Sequence, residues 1–244
     1  MKKLYFLYLI ILLPFKSMAD TCYIATASNF YLTLKIIINT IDTAQYKISS
    51  GSSGKIFAQI MNKAPYDIFF SADQKRVNML PETIKYDQKT YAYGKIVVWD
   101  KNVNSDFNKQ LAIKKIADSK KITLANPKLA PYGNAAYEFL QTLKLNKKVI
   151  RYVYGENINQ TLNFIKSGSV KVGIVSLAQI IQLKNEKKFQ GGVWIVDSDL
   201  YSPIVQDVAL LKSGSQKKSC DTIWKLLSEK KIKKLIKDTG YDVY

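Results

Sequence analysis

The chain has 244 residues, a formal charge of +18, two cysteines and no histidine. The missing histidine excludes Ser-His-Asp and Cys-His nucleophiles and every His-dependent metal site. No C-x-x-C pair and no paired-carboxylate constellation stands in their place; acid–base chemistry by carboxylates stays possible, and the expectation is a non-enzyme that needs no cofactor.

The first residues have the layout of a secretory signal peptide. Lys2 and Lys3 form a positive start, Leu4 to Pro14 is an apolar run too short for a stable anchor, and Ser17-Met18-Ala19 offers small residues before a cut. The expected leader is residues 1–19, and the expected mature chain starts at Asp20. The leader carries Lys2, Lys3 and Lys16 and no acid, which leaves +15 on the remainder. Almost all of that charge is Lys, with Arg only at 76 and 151. Nucleic-acid surfaces gather Arg and aromatics on one face; scattered Lys reads as a solvated surface, and no nucleic-acid partner is expected.

The elements alternate, as in an α/β protein. A strand is expected at Cys22–Thr26, then a helix at Phe30–Ile41 with apolar residues at Phe30, Leu34, Ile37 and Ile41. A short strand at Tyr46–Ser49, a helix at Lys55–Asn62 and a buried strand at Asp67–Ser71 follow. Tyr93–Trp99 reads as one strong strand. Next come a strand at Ile122–Ala125, a helix at about Gly133–Leu143, a β-rich stretch at Val149–Tyr154, and a helix at Asn159–Lys166 closed by Ser167-Gly168. Val170–Val175 is a strand and Ser176–Leu183 a helix. Strands at Val193–Val196 and Asp207–Leu211 lead to an amphipathic helix over Cys220–Thr239, broken near Glu229. In an oxidising compartment Cys22 and Cys220 invite a disulfide; two buried thiols are the alternative.

Four strand-to-helix junctions carry small, hydroxyl or amide residues. They are Thr26 to Asn29, Ser49 to Gly54, Ala130 to Gly133, and Gly155 to Asn159. Helix N-termini expose unpaired N–H groups and partial positive charge, and they hold anions. Ordinary N-capping explains any one of these loops. The run Ser49 to Gly54 has more small residues than capping needs, yet Lys55 is misplaced for a P-loop, so no nucleotide site is expected.

These segments resemble molybdate-binding proteins of the class II periplasmic binding family. The matching strings are ATASNF (from Ala25), SGSSGKIFAQI (from Ser50), APYDIFFSADQ (from Ala64), ANPKLAPYGNAA (from Ala125), GENINQTL (from Gly155) and VGIVSLAQI (from Val172). The resemblance implies an α/β fold of two lobes, each a mixed sheet flanked by helices, with a ligand cleft between them. Lobe one would be residues 20–95 plus 204–244, and lobe two residues 96–203. It implies a monomer in the periplasm that binds molybdate, and tungstate as well, and hands it to the permease of an ABC importer in the inner membrane. The ligand positions it implies are Ser28 with Asn29, Ser53, Tyr132, and the backbone N–H of Ile158. Where some members carry a Tyr hydroxyl, this chain carries Ser176.

Other readings stay open from the residues, among them a phosphate carrier and a polyanion or nucleic-acid binder drawn by the positive charge. Sulfate uses donors of the same kind. A ferric site would need adjacent Tyr and acid ligands, and Tyr91 and Tyr93 come nearest. A secreted enzyme on this fold would need a poised acid, and Glu156 is the candidate.

Overall fold

The computed structural model describes residues 20–41, 45–103, 106–144 and 150–243. The expected leader, residues 1–19, lies outside them. Among the described residues no helix is long and apolar enough to cross a membrane.

The chain builds β1 (Cys22–Ala27), α1 (Tyr31–Ile38), β2 (Tyr46–Gly51), α2 (Ser53–Met61), β3 (Ile68–Phe70), α3 (Gln74–Asn78) and β4 (Lys85–Gly94). It continues with β5 (Ile96–Asp100), α4 (Lys109–Ala117), β6 (Lys121–Ala125), α5 (Pro131–Thr142), β7 (Arg151–Gly155), α6 (Ile158–Lys166), β8 (Val172–Ser176), α7 (Leu177–Asn185) and β9 (Gly192–Ile195). A 3-10 turn at Ser198–Leu200 leads to β10 (Ile204–Leu211), α8 (Lys218–Leu226) and α9 (Lys230–Asp238).

The strands form two five-stranded sheets, ordered β2-β1-β3-β10-β4 and β7-β6-β8-β5-β9. Each has three parallel strands and continues into an antiparallel strand, β10 in the first and β5 in the second. Parallel strands need helical crossovers, and α1, α2, α5 and α6 supply them. This is the expected α/β architecture, two mixed sheets flanked by helices.

Tyr93–Trp99 is not one strand. β4 ends at Gly94 in the first sheet and β5 begins at Ile96 in the second. The apolar run is continuous, but its two halves belong to different sheets. The chain returns between β9 and β10. The earlier part of β4 was not foreseen, because Lys85 to Thr90 is a largely exposed, polar edge strand, the composition that blunts an edge against mispairing. Helix α4 was missed because it buries only Ala112 and Ile116.

Burial follows the pattern of the sequence. Phe30 enters an aromatic cluster, with its ring centroid 5.4 Å from Phe70, 4.6 Å from Tyr91 and 5.5 Å from Tyr241. Burying such a ring contributes roughly 1.5–3 kcal/mol. Cys22 and Cys220 form a disulfide between β1 and α8, with Cα atoms 5.3 Å apart. Beside it, buried Asp67 accepts from the Tyr23 N–H at 2.8 Å and pairs with Lys217 at 2.7 Å, which compensates its charge. Ala27 and Ala72 from the first half share one apolar cluster with Ala130, Tyr132 and Ile158 from the second. The two halves therefore touch at the ends of their parallel strands.

Candidate functional site

Ligands of open α/β sheets sit beyond the carboxyl ends of the strands, and four such ends converge here. The loop after β1 is tied to the end of β2 by Ser28 N–H donating to the Gly51 carbonyl at 2.9 Å. The second sheet repeats this: Asn126 N–H donates to the Gly155 carbonyl at 2.7 Å, joining the ends of β6 and β7. The two pairs of loops face each other.

Between them lies a small cavity. The first half contributes Ser28, Asn29, Ser52, Ser53 and Ala72; the second contributes Ala130, Pro131, Tyr132 and Ile158. No charged side chain lines it. It is small, with room for about one water molecule, and excludes a nucleotide or a peptide. Larger grooves flank it. One, of about 590 Å³, runs past Arg76 and Lys128; the other, of about 330 Å³, lies between α1 and α7.

The structure thus brings together Ser28, Asn29, Ser53, Tyr132 and Ile158. Ser176 is not on the wall. Its hydroxyl accepts from the Gln179 N–H while the Gln179 side chain accepts from the Ser176 N–H, a capping box at the start of α7. Gln179 in turn donates to the Ile158 carbonyl at 3.0 Å and to Asn159 Oδ1 at 2.8 Å. Ser176 reaches the fourth loop only through Gln179.

The helices that start at the cavity are poorly capped. The N-caps of α1, α2 and α5 (Phe30, Ser52 and Ala130) make no side-chain cap bond. Away from it, Asp73 caps α3, Asn108 caps α4 and Ser176 caps α7, while α8 and α9 also lack a side-chain cap. Asn157 caps α6 at the N–H groups of Asn159 and Gln160, not at Ile158. The N–H groups of Ser53, Tyr132 and Ile158 lie in first turns, where no carbonyl of the same helix reaches them. Among the described residues they find no acceptor. Three helix starts therefore present N–H groups and partial positive charge where the two halves meet.

Ser52 was passed over in the sequence, where Ser53 took the role. Both are buried. Ser53 Oγ accepts from the Ala72 N–H at 2.9 Å and keeps its proton for another acceptor. Ser52 Oγ has no protein partner. An unpaired buried hydroxyl is costly and usually has a reason. Nothing in the sequence separates Ser52 from its neighbours in a Ser/Gly run; only its burial does.

The hydroxyl of Tyr132 is engaged by the first sheet. It accepts from Gln206 Nε2 at 3.4 Å. Burial, reinforced by Tyr241, Tyr91 and Tyr201, pushes its ionisation well above the usual tyrosine range, so it stays protonated. Asn29 spends its amide nitrogen on Gln206 Oε1 at 2.8 Å and on the Tyr241 hydroxyl at 3.2 Å. Its side-chain donors are used within the protein.

Charged groups sit at the rim. Lys55 meets Glu156 at 2.5 Å across the two halves, both about half exposed. Arg76 is held by Asp73 and donates to the Lys128 carbonyl at 3.2 Å. Glu156, the one acid weighed for catalysis, is engaged with Lys55. Cys22, Asp67 and Cys220 cluster tightly, but both thiols are spent in the disulfide.

Two sheet-and-helix lobes with a cavity between them define a solute-binding fold. Residues 24–242 match the family described as bacterial extracellular solute-binding protein, and the chain belongs to that family. It is 33% identical over 237 residues to the molybdate-binding protein ModA of Azotobacter vinelandii, covering 94% of this chain and 93% of that one. It is also 33% identical over 195 residues to ModA of Rhodobacter capsulatus, covering 78% and 75%. Its fold overlays the Azotobacter vinelandii periplasmic molybdate-binding protein with a TM-score of 0.82 at 32% identity, over 91% of this chain and 99% of that chain. The family resemblance drawn from the six loop strings is shown by these matches.

Proposed function

We propose that this chain is the periplasmic solute-binding component of an ABC importer, holding molybdate, and tungstate in the same way, in the cavity between its lobes. Lobe one is residues 20–95 with 204–244, and lobe two is residues 96–203. The loaded protein delivers the ion to the membrane permease. The observation that carries this reading is the charge-free cavity lined by three helix starts from both lobes, whose first-turn N–H groups find no acceptor among the described residues.

The donors are the hydroxyls of Ser28, Ser52 and Ser53 and the N–H groups of Asn29, Ser53, Tyr132 and Ile158. Ser176 supports the fourth loop through Gln179. A hydrogen bond to an ion contributes roughly 1.5–3 kcal/mol net. Micromolar binding needs about −8 kcal/mol and nanomolar about −12. Five to seven donors reach that range after association costs of several kcal/mol. No buried cation is required, and its desolvation cost is avoided.

Selectivity follows from size and protonation. Molybdate and tungstate are larger than sulfate and carry no proton near neutral pH. Phosphate brings a proton into a ring of donors. A panel of thermal melts with molybdate, tungstate, sulfate, phosphate and chromate tests this, because a ligand of the native state raises stability as RT ln(1 + [L]/Kd). Shifts with molybdate and tungstate well above the rest are expected. A shift with sulfate alone favours a sulfate carrier, and no shift with any of them removes the proposal.

A further inference from the structure

Gln206 lies in β10, where the chain returns from the second half to the first, and it is fully buried. It does not line the cavity. A buried amide is costly unless its atoms are bonded, and here three different elements bond it. Oε1 accepts from Asn29 Nδ2 at 2.8 Å and from the Tyr91 hydroxyl at 3.2 Å. Nε2 donates to the Tyr132 hydroxyl at 3.4 Å. Asn29 belongs to the first half's loop, and Tyr132 starts α5 in the second.

Tyr132 also fits tightly against the outgoing chain. A Cβ on Gly94 would stand 2.2 Å from its hydroxyl. The ring tip therefore sits between Gly94, at the end of β4, and Gln206, at the start of β10, the two places where the chain crosses between sheets. The Asn29 loop is fixed a second time, since the Tyr241 hydroxyl donates to the Asn29 carbonyl at 2.8 Å.

We propose that Gln206 is a positioning residue. Its single amide sets the Asn29 loop and the Tyr132 helix start against each other, and so fixes the spacing of donors from the two lobes around the ion. This rests on the reading of the cavity as an oxyanion site. A donor ring selects by spacing only if its supports are rigid. Gln206 supplies that support across the lobe boundary without touching the ion. It also fixes polarity: Tyr132 accepts from Nε2, which leaves the phenol proton to another acceptor.

The test is a double-mutant cycle on the full chain, using Gln206→Met, Tyr132→Phe and both together. Molybdate dissociation constants come from calorimetry, and melting temperatures are recorded without ligand. Gln206→Met is expected to weaken molybdate binding about tenfold or more. The double variant should bind no more than about twofold worse than the weaker single variant. A purely structural role would lower the melting temperature and leave the binding losses of the two substitutions simply multiplied. Gln206→Asn serves as a second variant, since an amide one methylene shorter cannot span Asn29 and Tyr132; it should also lose about tenfold, and it decides alone if Gln206→Met does not fold. Wild-type binding with both Gln206 variants within about twofold of it, or multiplied losses in the cycle, overturns the proposal and leaves the oxyanion site standing. Failure of the wild type to bind molybdate overturns both.

Discussion

The backbone N–H of Gly54 donates to the carbonyl of Leu129 at 2.9 Å, joining the start of α2 in one lobe to the loop before α5 in the other. Gly54 leaves little room at that approach. A Cβ there would stand 3.0 Å from the Leu129 oxygen and 3.0 Å from the Arg76 guanidinium. Gly54→Val should prop the lobes apart and weaken molybdate binding by about 1–3 kcal/mol, the usual cost of overpacking. The cost falls on the seam rather than in either core, so the ligand-free melting temperature should move little. Calorimetry and a ligand-free melt check the two halves of this expectation.

Ser52 and Ser53 should separate by stability. Ser52→Ala removes a buried hydroxyl that has no partner, so the ligand-free protein should be unchanged or slightly more stable. Ser53→Ala removes the acceptor of the Ala72 N–H and should lower stability by about 1–3 kcal/mol. Both, and Ser28→Ala, should weaken molybdate binding by about 1–3 kcal/mol each. Paired melts and titrations give the comparison; wild-type affinity in all three would remove the hydroxyl donors from the site.

The bridge between Lys55 and Glu156 should matter little. Both groups are about half exposed, and such pairs contribute roughly 0–1 kcal/mol. Lys55→Met should change molybdate affinity less than Ser53→Ala does, and the small change should fade at high salt. Titration at two salt concentrations measures it.

What could be read from the sequence was what local pattern carries. Helical spacing in Phe30 to Ile41 and the apolar strands gave the alternating architecture, and the loop strings gave the family. Pattern failed where tertiary position decides. Tyr93 to Trp99 is uniformly strand-like, yet Lys95 lies between two sheets. In the site, the family resemblance implied Ser53, Tyr132 and Ile158 as a set, and the structure gathers them. Ser52 and Gln206 were invisible because their significance is a missing partner and a set of partners far apart in sequence. Ser176 was implied only as the family position where some members carry a Tyr hydroxyl, and its own hydroxyl caps its helix.

The Cys22–Cys220 bridge closes a span of 198 residues. Chain-entropy arguments assign such a loop about 5 kcal/mol of stability. Reduction, or Cys22→Ser with Cys220→Ser, should lower the melting temperature strongly. The disulfide joins β1 to α8 and is not on the cavity wall, so molybdate affinity at room temperature should stay near the wild-type value. A melt and a titration under dithiothreitol test this.

Buried tyrosines should set an alkaline limit. Burial raises the ionisation of Tyr91, Tyr132 and Tyr241 above the ordinary value of 10.0. A group whose folded pKa is raised contributes stability that is complete below its unfolded pKa and lost as pH rises through the folded one. Their contribution should therefore be flat from neutral pH to about 9 and fall above about 10. Tyr241→Phe should make the loss above pH 10 shallower, as followed by chemical denaturation across that range.

The most direct test of the central claim is a crystal of the protein grown with molybdate, with the metal located by its anomalous scattering. One strong peak is expected in the cavity, with oxyanion oxygens in hydrogen-bond reach of the Ser53 hydroxyl and of the N–H groups of Tyr132 and Ile158. A peak only in the groove beside Arg76 and Lys128, or no peak at saturating molybdate, would contradict it.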